Sequence, residues 1–324
     1  MSVFKFWHIS SWSGSLLCLL IFSCTSGAPS DAAPPKAIPV SIVSDSLVYS
    51  IPYDLSHPAD TFLLPYELVE VSGLSYLAPN QLLLVQDEKG SLYVYEEEKE
   101  EISREYRFGK SGDYEGVELV GDMVYVLKSN GKIEEVSGFL EGETGETKEY
   151  NNQLNSDHDT EGLGYDPQSG QLLIACKEPY MANGREVRNQ RAIYGYNLQT
   201  HQLSERPVIT INLAEIQAFL QAYGPKETWA TDFHPGKKSS CKPSGIAIHP
   251  LSGHTYVIAS VGKLLLVLNS SHQVIAVHPL PRAQFSQPEG ICFSPEGTLY
   301  ISNEGKDGRG YISKFDMIAS NTNN

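Results

Sequence analysis

The chain has 324 residues, 41% of them hydrophobic and 19% charged, which allows one large domain or two ordinary ones around a sizeable core. Lys and Arg number 24 against 39 Asp and Glu, for a net charge of −15. That field repels polyanions, which excludes nucleic acid as a partner, and it concentrates cations near clustered carboxylates.

In chain order, residues 1–23 carry a single charge, Lys5, before an apolar run from Ser15 to Phe22. The run is too short to span a bilayer and has the anatomy of an export signal. It ends in Ile21-Phe22-Ser23-Cys24, which looks like a bacterial lipobox with Cys24 as the lipid acceptor, although Phe22 is bulkier than usual there. The alternative is an ordinary signal peptide cleaved near Gly27–Ala28. Residues 24–38 are a Pro/Ala/Ser-rich tether with nothing to bury. The expectation is a lipid anchor in a bacterial membrane facing the periplasm, from either the inner or the outer membrane, with plain secretion as the alternative. A folded body then spans 39–318, followed by a short tail, 319–324. Cys176 and Cys292 lie in apolar strand-like runs and read as buried thiols; there is no CxxC.

Five segments repeat one pattern: Ser72–Asp87, Glu115–Lys128, Glu161–Lys177, Ser244–Ser260 and Glu289–Asn303. Each reads as an apolar strand, a turn rich in Pro, Gly, Asn or Asp, and a second strand. Third strands follow at Ser91–Tyr95, Lys132–Val136, Ala192–Asn197, Lys263–Asn269 and Gly310–Phe315, with a fourth before the next repeat, as at Glu105–Phe108. Repeat starts are 43, 46, 83 and 45 residues apart. This is the signature of an all-β propeller. The long gap holds either an insertion or a sixth blade. Tyr180–Gln190 reads as polar loop, Leu213–Leu220 has helical spacing and Thr228–Lys242 is turn-rich, so five blades are expected, with six as the alternative. Thr61–Pro65 would supply the outer strand of the last blade and close the ring.

The first residue of each repeat should line the channel mouth: Ser72, Glu115, Glu161, Ser244 and Glu289, each followed by Gly. Glycine is explained by positive φ or close backbone approach. Three converging glutamates are not, because they repel one another and lose hydration unless a cation, basic groups or shared protons hold them. A second ring, at the ends of the second strands, offers Asp87, Lys128, Lys177, Ser260 and Asn303, flanked by Asp113 and Asp159. Glu115, Glu161, Glu289, Asp87, Asn303 and Asp159 form an oxygen-rich donor set of the kind that suits Ca²⁺. Lys128 and Lys177, with Ser72 and Ser244, would instead bind an anionic or small ligand, or the lysines would simply neutralise the glutamates. His249 reads as packing or capping. No GxSxG, HExxH, Walker loop or GxGxxG at a strand–helix junction is present.

With these residues in place, the chain resembles the SdiA-regulated (YjiK/CarP-like) family of bacterial β-propellers. The resemblance runs over about residues 60–316 through Leu68–Ser75, Asp113–Gly116, Asp159–Gly162, Lys242–Pro250 and Gln287–Ile291. It implies five blades, export and a Ca²⁺ role for Glu115, Glu161 and Glu289, with no defined reaction. Two other readings stay open. One is a Ca²⁺-dependent hydrolase of the gluconolactonase, phytase-like or esterase-like propeller type, with Glu289 and Asn303 as ligands and Asp159 or Glu161 as base. The other is a scaffold that uses one face to bind a protein.

Overall fold

The computed structural model describes residues 48–318, apart from 141, 143, 144, 238, 239 and 307. The leader, Cys24, the tether and the tail lie outside the described residues. Those described form a five-bladed β-propeller.

A short strand, β1 (Asp60–Leu63), precedes the first blade, which consists of β2 (Val71–Ala78), β3 (Gln81–Gln86), β4 (Lys89–Glu96) and β5 (Glu101–Ser111). The second blade is β6 (Tyr114–Val120), β7 (Met123–Lys128), β8 (Ile133–Val136) and β9 (Thr147–Tyr150). In the third, β10 (Thr160–Asp166), β11 (Gln171–Ala182) and β12 (Arg185–Asn197) are followed by β13 (Gln202–Leu203) and β14 (Ile209–Asn212). Both of the last two pair with β12, so they share its outer edge end to end. Helices α1 (Leu213–Tyr223) and α2 (Thr228–Thr231) lead to the fourth blade, β15 (Lys242–Ile248), β16 (Thr255–Val261), β17 (Leu264–Leu268) and β18 (Val274–Pro279). The fifth has β19 (Pro288–Phe293), β20 (Leu299–Asn303) and β21 (Tyr311–Phe315), and β1 completes it by pairing antiparallel with β21, Asp60 opposite Lys314. The ring is therefore closed by the N-terminal strand, as the sequence predicts, and no sixth blade fills the long gap.

That gap differs from expectation in one respect. Tyr180–Gln190 is not a loop: β11 and β12 continue as a hairpin past the blade, with Tyr180 opposite Val187 and Ala182 opposite Arg185. The turn is Asn183-Gly184, with φ of 49° and 72°, the left-handed pair that a two-residue hairpin turn demands. Helix α1 forms where expected. The Asn212 side chain caps it by accepting from the Ala214 N–H at 3.0 Å, and Leu213, Ile216 and Leu220 present one buried face.

The core lies between blades, where alternate strand residues of adjacent sheets interdigitate. Phe62 of β1 packs with Tyr95, Leu82 and Tyr300, joining both chain ends to the first blade. Cys176, Cys241 and Cys292 are free and buried. Ile51, Tyr53 and Leu55, ahead of β1, are buried between the fourth and fifth blades. His249 fastens them. Its Nδ1 accepts from the Leu251 and Ser252 amides, so Nε2 carries the proton and donates to the Tyr53 hydroxyl at 2.8 Å, which in turn donates to the Gly297 carbonyl.

Candidate functional site at the channel mouth

The innermost strands β2, β6, β10, β15 and β19 stand around the channel. Their antiparallel partners are β3, β7, β11, β16 and β20, and each register is interrupted at the same place. The breaks fall between Val71 and Leu74, Tyr114 and Gly116, Thr160 and Gly162, Pro243 and Gly245, and Pro288 and Ile291. The residues skipped include Ser72, Glu115, Glu161, Ser244 and Glu289. Each ring position is thus a β-bulge, a device that frees one residue from the ladder and re-aims its side chain.

The following glycines are required by proximity. A Cβ on Gly73 would stand 2.7 Å from Gly116 Cα, and one on Gly290 would stand 2.7 Å from the Ser72 carbonyl oxygen. None of the five ring glycines has positive φ, so close approach is the whole reason for glycine here.

The bulges deliver the side chains to different tasks. The Ser72 hydroxyl donates to the Tyr114 carbonyl of the next blade at 2.7 Å, and Ser244 donates to the Pro288 carbonyl at 2.8 Å. Both serines fasten neighbouring blades together, so their hydroxyls are engaged rather than presented to a ligand. The three glutamates line a central cavity together with Ser244 and ring glycines. The space they leave is about 10 Å³ for a water-sized body, roughly one water or one bare ion. An organic ligand does not fit within it.

The electrostatics are severe. Burial first, then the charge of Glu161 and a hydrogen bond to Asp113, push the Glu115 carboxyl up to about 10. Burial and Glu161 push Glu289 up to about 8, against the partial relief of Lys177 and Gln287. Burial also raises Glu161, but there Lys177 opposes it directly. The Lys177 ammonium is in contact with the Glu161 carboxylate and lies 3.7 Å from Asp159. Its own pKa is lowered by burial, then raised on balance by Glu161, Asp159 and Glu289. Asp87, in the second ring, is pushed up to about 7 by burial and by Glu70, Glu88 and Glu304.

Of the two lysines expected at the second ring, only Lys177 serves it. Lys128 turns along its own blade to Glu134 (3.2 Å) and Glu149 (3.8 Å), with its ammonium 5.0 Å from the Tyr114 ring centre. Sequence reasoning missed another cation, Lys263, which the tight turn Gly262-Lys263 carries to the same end of the channel, where its ammonium donates to the Ser286 carbonyl at 2.7 Å. Burial lowers it to about 8, with Glu289 acting in the opposite sense. It also missed Lys242, which bonds Glu178 across the seam between the third and fourth blades.

Asp87 Oδ1, Glu289 Oε2 and Asn303 Oδ1 are buried without a hydrogen-bond partner among the described residues. All three belong to the expected donor set. Among the described residues, no three acidic, His or Cys side chains stand close enough together to hold a metal ion as placed. The donor chemistry therefore fits a hard cation, while the spacing requires the carboxylates to draw in around it.

No known family matches the chain in sequence, and no curated protein does. Solved structures do resemble it. The glutaminyl cyclase of Myxococcus xanthus aligns with a TM-score of 0.51 and 13% identity over 81% of this chain and 95% of its own. The PQQ-bound aldose sugar dehydrogenase of Streptomyces coelicolor gives 0.47 and 11% over 80% and 97%. A streptogramin B lyase gives 0.42 and 15% over 81% and 74%. At these identities the likeness is one of fold: the chain is a β-propeller.

Proposed function

We propose that the chain is a binding propeller whose channel mouth takes one hard cation, with Ca²⁺ the candidate, in exchange for the protons of Glu115 and Glu289. The observation that carries this reading is three glutamates, one of them with an unpartnered buried oxygen, around a space of about one ion's volume. Glu115 and Glu289 would be the carboxylate ligands, with Asn303 and Asp87 as flanking oxygen donors. Glu161 and Asp159 already share Lys177, which serves as an internal counter-charge. Bound Ca²⁺ would supply charge neutralisation, and the ring residues would set its selectivity through their oxygen-only chemistry.

Two further points support export and anchoring. The segment Ile21–Cys24 looks like a lipobox, and the motifs resemble the SdiA-regulated family. Both are testable: Cys24→Ala should release the protein from membranes into the soluble fraction.

The central experiment is thermal unfolding of the purified protein in millimolar Ca²⁺ and in chelator. Binding to the folded state raises the midpoint by mass action, by about 2.7 kcal/mol of stability when Ca²⁺ is a hundredfold above its Kd. Glu289→Gln should abolish that rise. No shift in millimolar Ca²⁺ would overturn the proposal and leave a proton- and lysine-neutralised ring.

A further inference from the structure

A second cavity lies far from the channel, on the outer edge of the fourth blade. It holds about 350 Å³, which is in the range of small-molecule sites. The insertion after the third blade builds one wall, and β18 with Val48–Ser50 builds the other. Four aromatic residues, Tyr49, Phe219, Tyr223 and Trp229, line it with His278 and Glu227. Phe219 and Tyr223 meet at 5.3 Å between ring centres, tilted by 55°, and Trp229 packs on the core below α1.

Among the described residues of the lining, Glu227 carries the only formal charge at neutral pH, since burial keeps His278 below its ordinary range. The Trp229 indole N–H donates to Glu227 Oε2 at 2.9 Å, which fixes the carboxylate at the aromatic wall. Among the described residues, no Lys or Arg lines the cavity. An anion would meet Glu227 and the field of a −15 chain with nothing to offset either. A bare metal ion would find ring faces where it needs a shell of oxygens. Aromatic faces beside one carboxylate are instead the chemistry that holds a weakly hydrated organic cation, by attraction to the ring quadrupole and burial of its apolar body.

We propose that this cleft binds an organic ammonium compound, its cationic head between Glu227 and the aromatic rings of Trp229 and Tyr223. This site is independent of the channel mouth.

The test is calorimetric titration of the intact protein with choline and with 3,3-dimethylbutan-1-ol, its uncharged isostere. Tryptophan emission gives a second readout; besides Trp229 the sequence has only Trp7 and Trp12, and Trp229→Phe identifies the signal from the cleft. The expected result is saturable choline binding, about tenfold tighter than that of the isostere. Glu227→Gln, at an exposed position that leaves folding intact, should remove the preference, and Glu289→Gln should leave it unchanged. Equal binding of the two compounds, no saturable binding of choline, or an undiminished preference in Glu227→Gln would each overturn the proposal.

Discussion

The protonated ring makes a definite demand on how stability varies with pH. In the folded protein, Glu115 is raised to about 10 and Glu289 to about 8, whereas an unfolded glutamate titrates near 4.3. A carboxyl with a raised folded pKa keeps its proton in the native state after the unfolded chain has lost it. Its contribution is complete below the unfolded value and lost as pH rises through the folded one. Each retained proton costs about 1.4 kcal/mol of stability per pH unit. Between pH 7 and 8 His249, His254 and His278, held neutral in the fold, offset only about 0.4 kcal/mol, because an unfolded histidine is already mostly neutral there. Glu115 retains a full proton there, and Glu289 and Glu118, which burial also pushes up to about 8, retain most of one each, so the wild type should lose roughly 3 kcal/mol over that unit in chelator. For a domain of this size that is a fall in Tm of about 5 °C. Burial also raises the thiols of Cys176, Cys241 and Cys292, which adds a smaller drift of the same sign that ring variants leave in place. Glu115→Gln, neutral at all pH, should cut the slope by about 1.4 kcal/mol per pH unit, and saturating Ca²⁺ should remove the share of Glu115 and Glu289 in the wild type. Differential scanning calorimetry at several pH values measures this directly. A Tm that is flat from pH 7 to 8, or a Glu115→Gln slope equal to wild type, would refute the reasoning.

Three other outcomes follow from the packing. Phe62→Ala, which empties a position 3% exposed in the closing strand, should cost about 3–5 kcal/mol, seen as a lower urea midpoint. Ser244→Ala removes the acceptor of the Ser260 amide and the donor to Pro288 and should cost about 1–3 kcal/mol with secondary structure by circular dichroism retained. Burial, aided by His254, lowers His249 to about 4. Its stabilisation is therefore present above the unfolded value near 6.5 and lost as pH falls towards 4. His249→Gln should make the acid limb shallower in that window, by up to about 1.4 kcal/mol per pH unit.

The fold was legible because a propeller repeats its instructions. Five hairpins beginning with Ser-Gly or Glu-Gly are enough to count blades and to predict the closing strand, since one strand without a partner would leave an exposed edge. The extended hairpin of the third blade was missed although Asn183-Gly184 is a strong turn signal, because the flanking Tyr180–Gln190 is polar and projects from the blade with no core face to give an alternating pattern. At the site, the identity of the ring positions was readable and their roles were not. Ser72 and Glu115 occupy equivalent bulges, yet one ties blades and the other faces the channel. Lys128 and Lys177 end equivalent strands, but Glu134 and Glu149 draw the first outward while Asp159 and Glu161 draw the second in. Such choices depend on partners distant in sequence. Lys263 escaped notice because it sits at a turn rather than in the repeat.

The pairing of β1 with β21 bears on how the molecule comes to be folded. Local hairpins can form as soon as their strands exist, but Asp60 must wait for Lys314, and contacts so distant in sequence form slowly. Until then the fifth sheet has three strands, and the Tyr300 and Lys314 partners of the buried Glu97 carboxylate are not yet in place. A chain that stops short of residue 311 should therefore never close, however well its first four blades are made. Ring closure thus reports that synthesis has passed the last strand of the fifth blade.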